Sequence, residues 1–225
     1  MAEDQKKRRY DSTRRQAQAR ETREQILTAA RSLFITRGFA GTTMEAVAQE
    51  AGVAVETVYV AFGSKRTLLA RLVDRAVGGD DEPIQILDRP GPQHVKSEPD
   101  QRRQLQLFAS DMASIMERVG PLFGVMRSAA TTEPEIAALL ERLLSARREN
   151  ISVFVRWLTH NGPLRPGLSE GEATDTVWTL TSAEVHHLLT VDRGWSTEQY
   201  IQWLGDTLIH TLLPWNEPHR SGAYK

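Results

Sequence analysis

The side chains best equipped for chemistry are few and awkwardly spaced. Glu184, His186 and His187 form the one polar cluster inside an otherwise apolar stretch. On a helix, Glu-x-His-His puts only Glu184 and His187 on a common face. That is not the His-x-x-x-His spacing of a helical metal pair, so the pattern predicts no metal site and leaves Glu184 with His187 as a pair able to orient a bound ligand. The chain has no cysteine, which removes thiolate nucleophiles, thiolate metal ligands and disulfides. It also lacks a Gly-x-Ser-x-Gly elbow, a glycine-rich phosphate loop and a carboxylate pair in a telling context. No enzyme and no cofactor are predicted. What remains is charge. Residues 1–75 carry 14 Lys/Arg against 9 Asp/Glu, and residues 76–225 carry 14 against 20. A basic N-terminal part on an acidic remainder fits a chain that meets a polyanion at one end, or a solvated tail. The first 20 residues hold much of the positive charge, in Lys6, Lys7, Arg8, Arg9, Arg14 and Arg15.

The elements that would carry such an interface lie in residues 22–77. Thr22-Arg23-Glu24-Gln25 has the spacing of a capping box, and Ile26, Leu27, Ala30, Leu33 and Phe34 give the helix after it an apolar face that ends at Gly38. Thr42-Thr43 offers hydroxyls to cap a short second helix, with Val47, Ala48 and Ala51 inward and Gly52 supplying a left-handed turn. Val53 plugs the gap. A third helix of about two turns then runs over Val55–Phe62, with Val58 and Phe62 inward at i, i+4 and the other face free to enter a groove. Gly63 breaks it, Ser64 caps a fourth helix, and Leu68, Leu69, Leu72 and Val73 bind the fourth helix back onto the first.

This ordered set resembles the tetracycline-repressor-like (TetR) regulators. The pattern is carried by Thr42-Thr43, Ala48-Gln49-Glu50-Ala51-Gly52-Val53, Thr57-Val58-Tyr59-Val60-Ala61-Phe62 and Ser64-Lys65-Arg66-Thr67-Leu68-Leu69. The resemblance covers roughly residues 20–77. It implies phosphate contacts from Thr43, Tyr59 and Lys65, with Thr57 on phosphate or base. Such contacts fix register. Base readout falls to the exposed start of the third helix, where Val55 could meet a thymine methyl and Glu56 could accept from cytosine N4. Glu56 alternatively complements the helix N-terminus. Two positions depart from the family: Ala54 replaces a frequent capping serine, and Ala61 a frequent phosphate-binding histidine. The basic arm, through Arg8, Arg9, Arg14 and Arg15, could offset them in the minor groove or on nearby phosphate.

Beyond residue 77 the expected organisation is a linker over 78–99, a helical domain over 100–214 and a tail over 215–225, after a disordered arm (1–20) and a DNA-reading domain (21–77). Leu105, Phe108, Met112, Ile115 and Val119 mark one helix from Asp100 onward, and Pro121 and Pro134 sit where new helices would begin. Further helices are expected from Glu135 to about His160, from about Glu170 to Val191, and from Ser196 to before Pro214. Nothing reads as a strand. The fold class is therefore all-α: a three-helix helix-turn-helix domain joined by a fourth helix to a C-terminal ligand-binding and dimerisation domain. The resemblance implies a homodimer built through the last two long helices, a double-stranded DNA operator as partner, and a small-molecule ligand of unknown identity. Candidate ligand residues are Phe108, Met112, Met116, Met126, Trp157, Trp178, Glu184 and His187. The second domain could instead be a ligand-free dimerisation or protein-interaction module. With no apolar span of membrane length and no secretory signal after Met1, the expected location is the cytoplasm, on the nucleoid through operator binding.

Overall fold

A computed structural model describes residues 2–215, with side chains from residue 17 onward. Its elements are helical throughout, and the described residues contain no strand. In chain order they are α1 (Ala2–Arg37), α2 (Met44–Ala51), α3 (Val55–Phe62), α4 (Lys65–Gly78), a 3-10 turn at Ile86–Asp88, α5 (Pro90–Ser97), α6 (Gln101–Ala130), α7 (Pro134–Asn161), α8 (Glu170–Leu180), α9 (Ala183–His187), a π-helical turn at Leu188–Asp192, and α10 (Thr197–Leu212). Packing divides the chain into two compact units. The first comprises residues up to Arg75 with Pro121–Leu140, and the second Ala76–Gly120 with residues from Glu141 on.

In the first unit, α1 buries Ile26, Leu27, Ala30, Leu33 and Phe34, and α4 buries Leu68, Leu69, Leu72 and Val73. Each large side chain so covered stabilises the fold by about 1.5–3 kcal/mol. Phe34 stacks on Phe39 at 5.9 Å, closing the corner after Gly38, whose φ of +70° suits glycine. The helix that the Thr22 box was expected to open already runs from Ala2, so residues 2–20 of the expected arm are part of α1. Residues 2–20 contain no glycine or proline and are rich in Ala, Gln, Lys and Arg, all strong helix formers. An established helix extends into such a segment at little cost.

Beyond α4 the chain departs from expectation at three places. Residues 78–99 are not a plain linker. Buried Arg89 donates from Nη1 to Asp80 Oδ1 at 2.9 Å and from Nη2 to the Glu82 carbonyl at 3.0 Å, and fully buried Gln104 donates to the Val95 carbonyl at 3.0 Å. Pro121 does not open a helix but lies inside α6. The apolar row Ile115, Met116, Val119, Leu122, Phe123 and Met126 continues through it and is buried, while Pro121 itself is exposed. Burial of that row outweighs the one hydrogen bond a proline forfeits. The helix expected over 170–191 is broken. Thr181 ends α8, bonding back to the Val177 carbonyl at 2.7 Å, and Ser182 caps α9 by accepting from Val185 N–H at 3.3 Å. This break rotates the face that follows it.

Candidate nucleic-acid interface

The α2–α3 pair is fixed from both ends. Thr42 is fully buried and donates to the Gly38 carbonyl at 2.8 Å. Thr43 is the N-cap of α2, its Oγ1 accepting from Ala46 N–H at 3.1 Å, which leaves its hydroxyl proton for an outside acceptor. At the other end Gly52, with φ +67° and ψ +31°, closes α2. Gly52 N–H reaches the Gln49 carbonyl at 3.2 Å and Val53 N–H the Ala48 carbonyl at 3.0 Å, the Schellman pattern that turns the chain into α3. Ala54 caps α3 with no side-chain hydrogen bond, so the helix N-terminus keeps donors that a serine would have satisfied.

Val58 and Phe62 anchor α3. Its outward row is Glu56, Tyr59 and Val60, with Tyr59 46% and Val60 88% exposed. Val55 and Thr57 are half-buried flanks of that row. The far end of α3 is clamped by Arg23 of α1, whose Nη2 donates to the Ala61 carbonyl at 2.8 Å while its guanidinium covers the Phe62 ring at 5.5 Å. Lys65 is more deeply engaged than a solvated charge. Its ammonium donates to the Phe39 carbonyl at 2.8 Å and sits 4.2 Å from the centre of the Phe39 ring, leaving two N–H groups for an anion. Two short helices at a tight turn, one with an exposed face and capped donors at its edges, make a helix-turn-helix reader. Residues 26–72 match the family of bacterial regulatory proteins called the tetR family.

The chain carries a DNA-binding region of the TetR family. Along most of its length it is 29% identical to the HTH-type transcriptional repressor BepR of Brucella suis, over 206 residues covering 88% of this chain and 90% of BepR. Among solved structures, NalD of Pseudomonas aeruginosa, the secondary repressor of the MexAB-OprM multidrug efflux pump, superposes with a TM-score of 0.63 at 19% identity, covering 88% of this chain and 98% of NalD. The SmeT–triclosan complex gives 0.66 at 18% identity, covering 86% and 92%. These structures share the fold; BepR and the match at 26–72 make this protein a DNA-binding transcriptional regulator.

Arg8, Arg9, Arg14 and Arg15 lie outside the residues whose side chains are described. The ligand candidates separate. Phe108, Met112 and Met116 line the buried face of α6 in the second unit, with Phe108 stacked on Phe154 at 3.8 Å. Met126 is fully buried in the first unit. Trp157 is half-buried, with the Lys96 ammonium 5.6 Å from its ring centre. His187 is on the surface, 3.6 Å from Asp192, whereas its neighbour His186 is buried. Among the described residues no group of three or more His, Cys, Asp or Glu could hold a metal ion.

A polar cluster around Trp178 was only partly legible. Arg147 of α7 donates from Nη2 to the Trp178 carbonyl and to Thr181 Oγ1, each at 2.7 Å, and its guanidinium lies 5.4 Å from the Trp178 ring centre. Tyr200 of α10 is fully buried, and its ring meets His186 edge-on at 4.8 Å. The Tyr200 hydroxyl and Trp178 Nε1 are both buried without a hydrogen-bond partner. Burial pushes the Tyr200 phenol up to about 12, against the pull of the Arg147 charge, so it is a neutral donor at physiological pH. Arg147 and Tyr200 carried no sequence signal, because both sit in rows that read as ordinary helix faces.

Proposed function

We propose that this protein is a homodimeric repressor that binds a palindromic operator and is released from it by a small molecule bound in the second unit. The observation that carries the DNA half is the outward row Glu56, Tyr59 and Val60 on a helix anchored by Val58 and Phe62 and clamped at its far end by Arg23. A reader must be rigid before binding, because ordering it on DNA would subtract from affinity. Thr43, Tyr59 and Lys65 would hold phosphate, and Val55, Glu56 and Thr57 would face the bases. The arm residues Arg8, Arg9, Arg14 and Arg15 would add sequence-independent grip.

The ligand half is supported by the unpartnered Tyr200 hydroxyl and Trp178 Nε1. A buried donor without an acceptor costs about 1–3 kcal/mol, a cost a folded chain tolerates where a ligand will later supply the acceptor. Phe108, Met112 and Met116 would form an adaptable apolar wall. The named subjects of related structures point the same way: NalD is a repressor of a multidrug efflux pump, and SmeT was captured with triclosan. Dimerisation would use α8 and α10. Tyr200, Leu204, Leu208 and Leu212 are buried within the chain, so the surface left for a second copy on α10 is the row with Trp203 and Thr207. Only a ligand with different affinities for the DNA-competent and DNA-incompetent states can shift the balance.

The test combines two measurements on the full chain. Sedimentation should give a dimer, and triclosan titrated onto the protein–operator complex should release DNA in parallel with a rise in melting temperature. A monomer on DNA would overturn the dimer. Release without thermal stabilisation of the free protein would overturn ligand release through the second unit.

A further inference from the structure

The outward face of α3 lacks the side chains that read purines bidentately. Guanine is recognised through O6 and N7 by Arg or Lys, and adenine through N6 and N7 by Asn or Gln. Cytosine N4 is read by an acid, and the thymine methyl by apolar contact. The sequence of α3 is Val-Glu-Thr-Val-Tyr-Val-Ala-Phe. It contains no Lys, Arg, Asn or Gln. Its Val60, at 88%, is the most exposed large hydrophobic residue among those described. Nothing local favours it: a β-branched residue on the solvent side of an eight-residue helix neither helps the helix nor packs within it. Glu56 lies one turn earlier on the same row, and Tyr59 beside it.

We propose that Val60 is a specificity-determining residue, and that α3 reads pyrimidine features of the major-groove edge, a thymine methyl at Val60 and a cytosine amino group at Glu56. The proposal rests on the reading of α3 as the DNA reader and names the base class that it selects. Valine suits a methyl group because its two methyls are held in few rotamers and lose little freedom on contact. Covering them also removes an exposed apolar surface from water. Glu56 sharpens the choice, since its carboxylate accepts from an amino group and is repelled by the acceptor atoms of guanine and thymine. Gln49 of α2 is exposed, but the first helix of such a motif crosses the sugar-phosphate backbone and leaves the bases to the second.

The test uses the full chain to select duplexes from a randomised library. Each thymine of the enriched half-site is then replaced by deoxyuridine, which removes the methyl and leaves every hydrogen-bonding group unchanged. At one thymine per half-site, replacement should lower affinity about fourfold, the worth of one buried methyl. In Val60→Ala, which exchanges one exposed helical residue for a better helix former, the same replacement should have no effect. Sensitivity that persists in Val60→Ala, or its absence at every thymine, would overturn the assignment while leaving DNA reading intact. Failure to enrich any sequence would overturn both.

Discussion

Tyr59 and Lys65 would touch the same phosphates, but their replacements should have different signatures. Tyr59 is half exposed, so Tyr59→Phe should leave the melting temperature unchanged. It should weaken binding to all duplexes alike by about ten- to a hundredfold, the worth of one hydrogen bond to a charged group. Lys65 is also a structural clamp, through the Phe39 carbonyl and ring. Lys65→Ala should therefore lower stability by roughly 1–2 kcal/mol and reduce the salt slope of binding by about one unit. Thermal melting beside gel shifts across a salt series separates the two effects. An unchanged melting temperature for Lys65→Ala would mean the clamp carries no energy. Glu56→Gln, by contrast, should change which operators are enriched rather than how tightly DNA in general is held, since an amide adds the donor that adenine N7 requires.

Among the elements, α3 differs most from an ideal reader in its cap. Ala54 offers no side-chain acceptor, so Ala54→Ser should add about 1 kcal/mol of stability, read as a higher melting temperature. A gain below a few tenths would mean that water already satisfies the end of α3. The reading helices were legible from sequence because their signals are local: Thr43 as cap, Gly52 as left-handed turn, and Val58 with Phe62 as the inward pair. Val60 was not, since residue type alone does not tell an outward valine from an inward one in so short a helix. Elsewhere local rules lost to packing. Pro121 reads as a helix start, yet the buried row from Ile115 to Met126 carries α6 through it. The break at Thr181 and Ser182 was invisible because neither residue is a strong breaker. Glu184 and His187 share α9, but His187 is exposed and the buried histidine is His186.

At the scale of the whole molecule, His186 couples stability to pH. Burial pulls its pKa below the ordinary histidine value, and neighbouring His187 lowers it further against the opposing pull of Glu117. Around it lie Thr190, whose Oγ1 is 3.5 Å from Nδ1, and the edge-on Tyr200 ring. A base with a depressed folded pKa is stabilising when neutral. Its contribution is fully present above the unfolded value near 6.5 and is lost as pH falls from there toward the lower folded value. Melting temperatures between pH 8 and pH 5 should therefore drop more for the parent than for His186→Gln. Equal slopes would mean that His186 titrates as it does in the unfolded chain.

The central claim is that two copies of α3, held by one dimer, read DNA. No described helix is long and apolar enough to cross a membrane. The most direct measurement is a hydroxyl-radical footprint on the duplex most enriched from a randomised library. The account predicts two protected patches related by two-fold symmetry, with half-site centres about 34–36 Å apart or a multiple of that spacing, and both lost together when dimerisation is disrupted. A single asymmetric patch, or protection spread evenly along the duplex, would contradict it.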